Sequence, residues 1–299
     1  MRIGITGATG MIGQAVSALA LGSGHEVIGY SRRASPQGPL VTRSLVSTST
    51  SPLPETPLDA LIHLAGESLF GLWTRSKRER IWKSRVDLTK KIVEQLRSWQ
   101  PASRPKLLLC ASGIGFYGDR GDALLEEKSA PGTGYLAELC VQWEAAAMEA
   151  QALGTRVVLL RTGVVLGPDG GAFPLMKRAF ACGVGGRFGS GRQWMSWIHE
   201  QDQAGLILWA LENEAVAGPL NLCSPNPVTN ADFTRQLAAA LHRPALLHVP
   251  AFALRLLMPG MGQEMLLAGQ RAFPRVAMDQ GYRFAHPTLD DALASLTNR

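Results

Sequence analysis

The chain has 299 residues, 46% of them hydrophobic, enough to bury the core of one sizeable α/β domain or of a domain with an appendage. No apolar run approaches the roughly 20 residues of a membrane span, and the sequence enters a strand at once with no room for a secretory signal, so a cytoplasmic protein is expected. The formal charge of +6 and pI near 9.4 come from basic residues interspersed with acidic ones. They concentrate only from Arg75 to Lys91, which reads as the solvated face of a helix; with no finger, helix-turn-helix or aromatic platform beside it, nucleic acid is not an expected partner. Cys110, Cys140, Cys182 and Cys223 lack CxxC spacing and fall in apolar stretches, so buried free thiols are expected rather than a metal site or disulfides.

The opening stretch Arg2–Gly13, RIGITGATGMIG, joins a short apolar strand to an amphipathic helix (Met11, Ile12, Ala15, Leu19) through three evenly spaced glycines. Gly7 permits the tight turn, Gly10 lets backbone approach a diphosphate, and Gly13 lets helix and strand pack. The segment around Thr9, Met11 and Ile12 then offers free N–H groups and the positive end of a helix dipole to the phosphates. The competing reading is an ordinary glycine-rich βα turn. His25–Tyr30 is the second strand, and Ser31-Arg32-Arg33 stands where an acidic residue would select NAD; two arginines suit a 2′-phosphate, favouring NADP(H) over NAD(H), unless they are merely loop residues facing solvent.

Only Leu40–Val46 within the Pro/Ser/Thr-rich stretch from 36 to 57 can form a third strand. Asp59–Leu64 is a buried strand; Leu64 ends it and Ala65-Gly66-Glu67-Ser68 follows, where ligands of a doubly wound sheet lie, with a plain βα turn as the alternative. The helix Thr74–Trp99 carries the apolar stripe Ile81, Leu88, Ile92, Leu96, on which position 85 is an arginine. A charge there is costly unless paired, so Arg85 either snorkels or faces the cofactor cleft. The strand Lys106–Ala111 runs into Ser112, placed to hydrogen-bond a substrate oxygen, and Tyr135 opens the helix Gly134–Leu153.

Arg156–Arg161 is a further strand, ending at Thr162–Gly167, and a helix near Pro174–Cys182 leaves the sheet. In the glycine-rich loop 183–192, Arg187 and Arg192 suit an anionic substrate or belong to a flexible surface loop. The helix Asp202–Leu211 and strand Gly218–Leu222 return to the sheet, and Asp232–Leu241 is an amphipathic helix. The apolar segment Pro250–Met258, with Met261, Met265, Leu266 and Leu267, is core, a dimer contact or the lining of a greasy site. Thr288 caps a last helix, Leu289–Leu296.

TGATGMIG, the HLAG turn, the 112–117 segment, Tyr135 opening a helix, LRTGVVLG and WIHEQD together resemble the extended short-chain dehydrogenase/reductases of the nucleotide-sugar epimerase/dehydratase type. More narrowly, FYGDRGD, LRTGVVLGPDGG, GSGRQWMSWIH, the segment 242–259 and LLAGQRAFP resemble the branch labelled epimerase family protein, whose C-terminal domain is of unknown function. The resemblance implies an α/β fold: a Rossmann-type doubly wound parallel sheet over 1–167, completed by about 196–223, and a smaller, mostly helical substrate domain from 168–195 and 224–299. It implies hydride transfer on a small carbonyl or hydroxyl compound, nucleotide-sugar-like compounds included. In that family a Tyr and a Lys four residues on act together, the cation lowering the phenol pKa, while a Ser orients the substrate. Tyr135 matches, but Leu139 stands at the Lys position, and Gly113 falls where the Ser is usual, with Ala111 and Ser112 just before it. Tyr117 is then a second candidate phenol, and Arg85, near the position of the family's helix Asn, a candidate for the missing charge. His199 matches a residue that braces the following helix. An NADP(H)-sensing module without turnover, regulating a partner for example in cell division, is the alternative that Leu139 favours.

Overall fold

A computed structural model describes residues 1–31, 41–46, 52–245 and 247–297. Among them seven parallel strands form one sheet: β1 (Arg2–Thr6), β2 (Glu26–Ser31), β3 (Arg43–Val46), β4 (Ala60–His63), β5 (Leu107–Gly113), β6 (Arg156–Thr162) and β7 (Gly218–Leu222). From edge to edge the order is β7, β6, β5, β4, β1, β2, β3, the doubly wound arrangement in which the direction of winding reverses between β1 and β4. Residue 40, where the third strand was expected to begin, lies outside the described residues, and Arg43–Val46 pairs with β2.

The helices are α1 (Met11–Gly22), α2 (Arg75–Trp82), α3 (Leu88–Ser98), α4 (Tyr135–Met148), α5 (Phe173–Ala181), α6 (Glu200–Glu212), α7 (Asn230–Ala240), α8 (Ala251–Leu257), α9 (Arg275–Asp279) and α10 (Leu289–Thr297). Parallel strands are buried on both faces, and alternation sorts their side chains between two cores. Leu107 and Leu109 join Ile3, Ile5, Val16 and Ile207 under α1 and α6. Leu108 and Cys110 join Leu61, Ile92, Leu139 and Trp143 under α3 and α4. Met258, Met261, Met265 and Leu266 pack on this second core, Met261 buried and the others half-buried, whereas Phe252, Leu256 and Leu257 of α8 are exposed. A third cluster unites Phe173 and Phe180 of α5 with Phe233 and Leu237 of α7 and Leu289 and Leu293 of α10.

The single helix expected over 74–99 is interrupted. Between α2 and α3 the backbone makes a π-type turn, Lys83–Asp87, whose extra residue shifts the apolar register, so that Ile81 and then Val86 face the core and Leu88 is half-buried. Val86 thereby takes the core position, and Arg85, half-buried, lies against Trp143 at the edge of the second core. Cys110, Cys140 and Cys223 are buried free thiols, whereas Cys182, at the turn that ends α5, is exposed. Among the described residues no helix is long and apolar enough to cross a membrane, and no group of three His, Cys, Asp or Glu could hold a metal ion.

Candidate nucleotide-binding cleft

The turn between β1 and α1 is built by its glycines. Gly7 has φ +75°, and a Cβ there would lie 3.0 Å from the backbone of Leu64 and Ala65 at the end of β4. A Cβ on Gly13 would run into the carbonyl oxygen of Gly7 and come within 2.8 Å of Ala8 Cα. Gly10, exposed, is the N-cap of α1 and offers no side chain, and no acidic residue occupies the first turn. The N–H groups of Met11 and Ile12 thus stay available at a positive helix end beside exposed Thr9, which suits a diphosphate. Gly170 and Gly171 crowd the Met11 side chain, bringing the 167–171 loop over the same turn. Ser31 ends β2; Arg32 and Arg33 lie outside the described residues.

A hydrogen-bond chain crosses the switch point. The Ala65 N–H donates to Thr6 Oγ1 (3.3 Å), which stands 2.6 Å from His63 Nδ1; His63 Nε2 is 3.1 Å from Thr89 Oγ1, whose hydroxyl donates to the Arg85 carbonyl at 2.6 Å. Since Thr89 gives its one hydrogen to that carbonyl and accepts from Trp143 Nε1 (2.9 Å), His63 must donate through Nε2 and accept through Nδ1. The imidazole is fully buried with the Arg85 cation nearby, and its pKa falls to about 4, first through desolvation and then through that charge. The phosphate turn and the π-turn are thereby joined by one neutral histidine.

Arg85 lies across the end of β4. A Cβ on Gly66 would meet its Cζ at 3.2 Å, Trp143 stacks 5.3 Å from it, and its Nη1 donates to the Glu67 carbonyl at 2.9 Å. The Glu67 carboxylate turns instead to Lys77 (2.8 Å) and Arg80 (3.6 Å), and the Lys77 hydrogen bond is the main reason its pKa is lowered.

The expected acid–base groups have other partners. Cys110 and Ser112 project from β5 toward α4, where buried Ser112 donates to Glu144 at 2.6 Å. Glu144 also holds Arg161 of β6 through two 2.8 Å bonds. Tyr117, 0% exposed, donates to Asn221 of β7 (2.7 Å) and accepts from Arg161 (3.1 Å); burial pushes its pKa up to about 12. Ser112 and Tyr117 are thus parts of a buried polar network, not free hydroxyls at the strand ends as expected. Glu144, Arg161 and Asn221 were missed by the sequence reading, although an arginine inside the apolar strand VVLLRT was a signal of the same kind as Arg85. Tyr135 is half-buried, its hydroxyl donating to the Arg78 carbonyl at 2.8 Å, and burial raises its pKa against the pull of Arg85 and Arg78. Its helix is capped by Glu264, which accepts from the N–H groups of Tyr135 (3.1 Å) and Leu136 (2.7 Å). Leu139 is buried in the second core. Ala111 is half-buried on β5. Arg187 lines a recess with Ala231, Thr234 and His248, and Arg192 is exposed; among the described residues no hydrogen bond or ion pair ties either side chain to the ends of β4 or β5.

Residues 3–223 match the NAD dependent epimerase/dehydratase family, and residues 249–296 match a domain of unknown function, DUF1731. The chain belongs to the NAD dependent epimerase/dehydratase family. A member from Mycobacterium leprae, called an epimerase family protein, is 37% identical over 298 residues, spanning 99% of this chain and 96% of its own. The crystal structure of the human epimerase family protein SDR39U1 (isoform 2) with NADPH superposes with a TM-score of 0.89 at 32% identity, covering 100% of both chains. MoeE5 in complex with UDP-glucuronic acid and NAD shares the fold, with a TM-score of 0.77 at 20% identity over 100% of this chain and 98% of that one. The α/β Rossmann architecture is therefore that of the epimerase family proteins.

Proposed function

We propose that the chain binds NADP(H) in preference to NAD(H) and uses it on a small carbonyl or hydroxyl compound lying beyond β4 and β5. The observation that carries the reading is the β1–α1 turn, whose three glycines leave the Met11 and Ile12 N–H groups open to a diphosphate. Gly7, Thr9, Gly10 and Gly13 shape that contact, Ser31, Arg32 and Arg33 take the adenosine ribose and its 2′-phosphate, and Leu64, Ala65, Gly66 and Ala111 form the floor toward the substrate. When bound, the nicotinamide supplies the hydride. Tyr135, whose raised pKa keeps it protonated at neutral pH, releases the Arg78 carbonyl and donates to the substrate oxygen, a role that favours reduction. The relative crystallised with NADPH supports the choice of cofactor.

A second reading, nucleotide binding without turnover, is favoured by one set of observations: Ser112 and Tyr117 are sealed in the network around Arg161, and Leu139 replaces a lysine. Calorimetry with NADPH and NADH, followed by NADPH oxidation against a panel of carbonyl compounds, separates the two. Tighter binding of NADPH, with oxidation lost in Tyr135→Phe, supports the enzyme; tight binding with no oxidation by any compound supports the module; no heat with either cofactor refutes both.

A further inference from the structure

Among the described residues at the mouth of the cleft, Arg85 is a cation that no carboxylate meets in a salt bridge. Taking a guanidinium out of water is costly unless an anion meets it, and desolvation by burial is the main force lowering its pKa. Yet its direct hydrogen bonds go to neutral oxygens, the Glu67 carbonyl at 2.9 Å and Ser84 Oγ at 3.4 Å, both through Nη1. Glu67, the acid placed to neutralise it, is committed to Lys77 and Arg80. Among the described residues neither Nε nor Nη2 donates to anything, and these two N–H groups form one edge of the planar fork, the edge that accepts a carboxylate through two parallel bonds.

The fork is also held in place before any ligand arrives. Gly66 lies under one side of it, where a Cβ would stand only 3.2 Å from Cζ, and Trp143 lies on it with its ring centroid 5.3 Å away. Thr89 fixes the backbone of the π-turn by its bond to the Arg85 carbonyl. Such an arrangement loses little side-chain freedom on binding.

We propose that Arg85 is the substrate-anion site of the cleft, taking a carboxylate of the substrate through its Nε–Nη2 edge, so that the substrate is a carbonyl or hydroxyl acid. This rests on the nucleotide reading above, because it assigns the cation by elimination. The diphosphate has its own donors on α1, the 2′-phosphate falls to Arg32 and Arg33 in that reading, and the nicotinamide ring with its ribose carries no anion, the ring being neutral when reduced and cationic when oxidised. A guanidinium at the end of β4 therefore answers to a charge that the substrate brings.

The test is calorimetric titration of oxalate, and of its neutral isostere oxamide, into wild-type protein saturated with NADPH so that the α1 site is filled. Oxalate is expected to bind at least tenfold more tightly than oxamide. Arg85→Gln should weaken oxalate at least tenfold and leave NADPH affinity within threefold. Gly66→Ala, which keeps the arginine but pushes its guanidinium aside, should weaken oxalate in the same direction, and Arg85→Lys, keeping the charge without the fork, should fall between. Equal oxalate affinity in wild type and Arg85→Gln overturns the proposal, as does oxamide binding as well as oxalate. A loss in Arg85→Gln that falls on NADPH instead assigns the cation to the cofactor and also overturns it. The same titration on nucleotide-free protein keeps the two readings apart: Arg85-dependent oxalate binding with no NADPH affinity supports the anion site while refuting the nucleotide.

Discussion

Replacing Glu144 by Gln tests whether Ser112 and Tyr117 belong to a structural network. The carboxylate accepts from Arg161 Nε and Nη2 at 2.8 Å each and from Ser112 at 2.6 Å, with the Arg161 and Glu144 side chains only 4% and 7% exposed. Gln preserves volume but withdraws the charge and turns one acceptor into a donor, leaving Arg161 with the Tyr117 hydroxyl, the Glu127 carbonyl and the Phe116 ring. Breaking one side of a buried pair costs about 3–5 kcal/mol. With an unfolding entropy of roughly 2 cal/mol/K per residue, that lowers Tm by about 5–8 °C for a chain of this size. Differential scanning calorimetry reads the shift, and NADPH affinity should stay within about twofold, because the pair does not touch the phosphate turn. Glu144→Leu with Arg161→Met, removing both charges, should recover most of the loss. A Tm within about 2 °C of wild type for Glu144→Gln, or an NADPH affinity that collapses at unchanged Tm, would refute the structural assignment.

Gly13→Ala forces a Cβ into the Gly7 carbonyl and should lower NADPH affinity at least tenfold in protein that still unfolds cooperatively; wild-type affinity in isothermal titration would remove the basis of the nucleotide reading. His63 has a folded pKa near 4 against an ordinary value of 6.5, so the unfolded chain takes up the proton first as pH falls. Stability is unaffected by this group above about pH 7 and drops by roughly 3 kcal/mol between pH 6.5 and 4. Urea midpoints across that window should fall more steeply in wild type than in His63→Gln, and parallel curves would contradict a buried neutral imidazole. Arg32→Asp should move preference from NADP(H) toward NAD(H) by about 2 kcal/mol, a lost charge-assisted contact; competition binding giving equal wild-type affinities for both cofactors would count against it.

What the sequence by itself determined is whatever depends on neighbours along the chain. Gly7, Gly10 and Gly13 act within one turn, so their spacing declares a strand, a tight turn and an open helix end without any knowledge of the rest. The apolar runs of β1, β4, β5 and β6 likewise declare a parallel sheet buried on both faces. An arginine on an apolar stripe was visible at position 85, and the same signal stood at 161. Which partner each would meet was not visible, because it comes from another element: Glu144 reaches Arg161 from α4, and Glu67 turns away from Arg85 toward α2. The position of Ser112 at the end of β5 was readable, but not its direction. Alternation puts it on the side of Cys110, facing α4, and only the packing of that helix decides that the hydroxyl meets a carboxylate rather than a ligand. Turns and strand periods are local and survive in one dimension, whereas pairing of buried charges is settled by which faces the tertiary fold presses together.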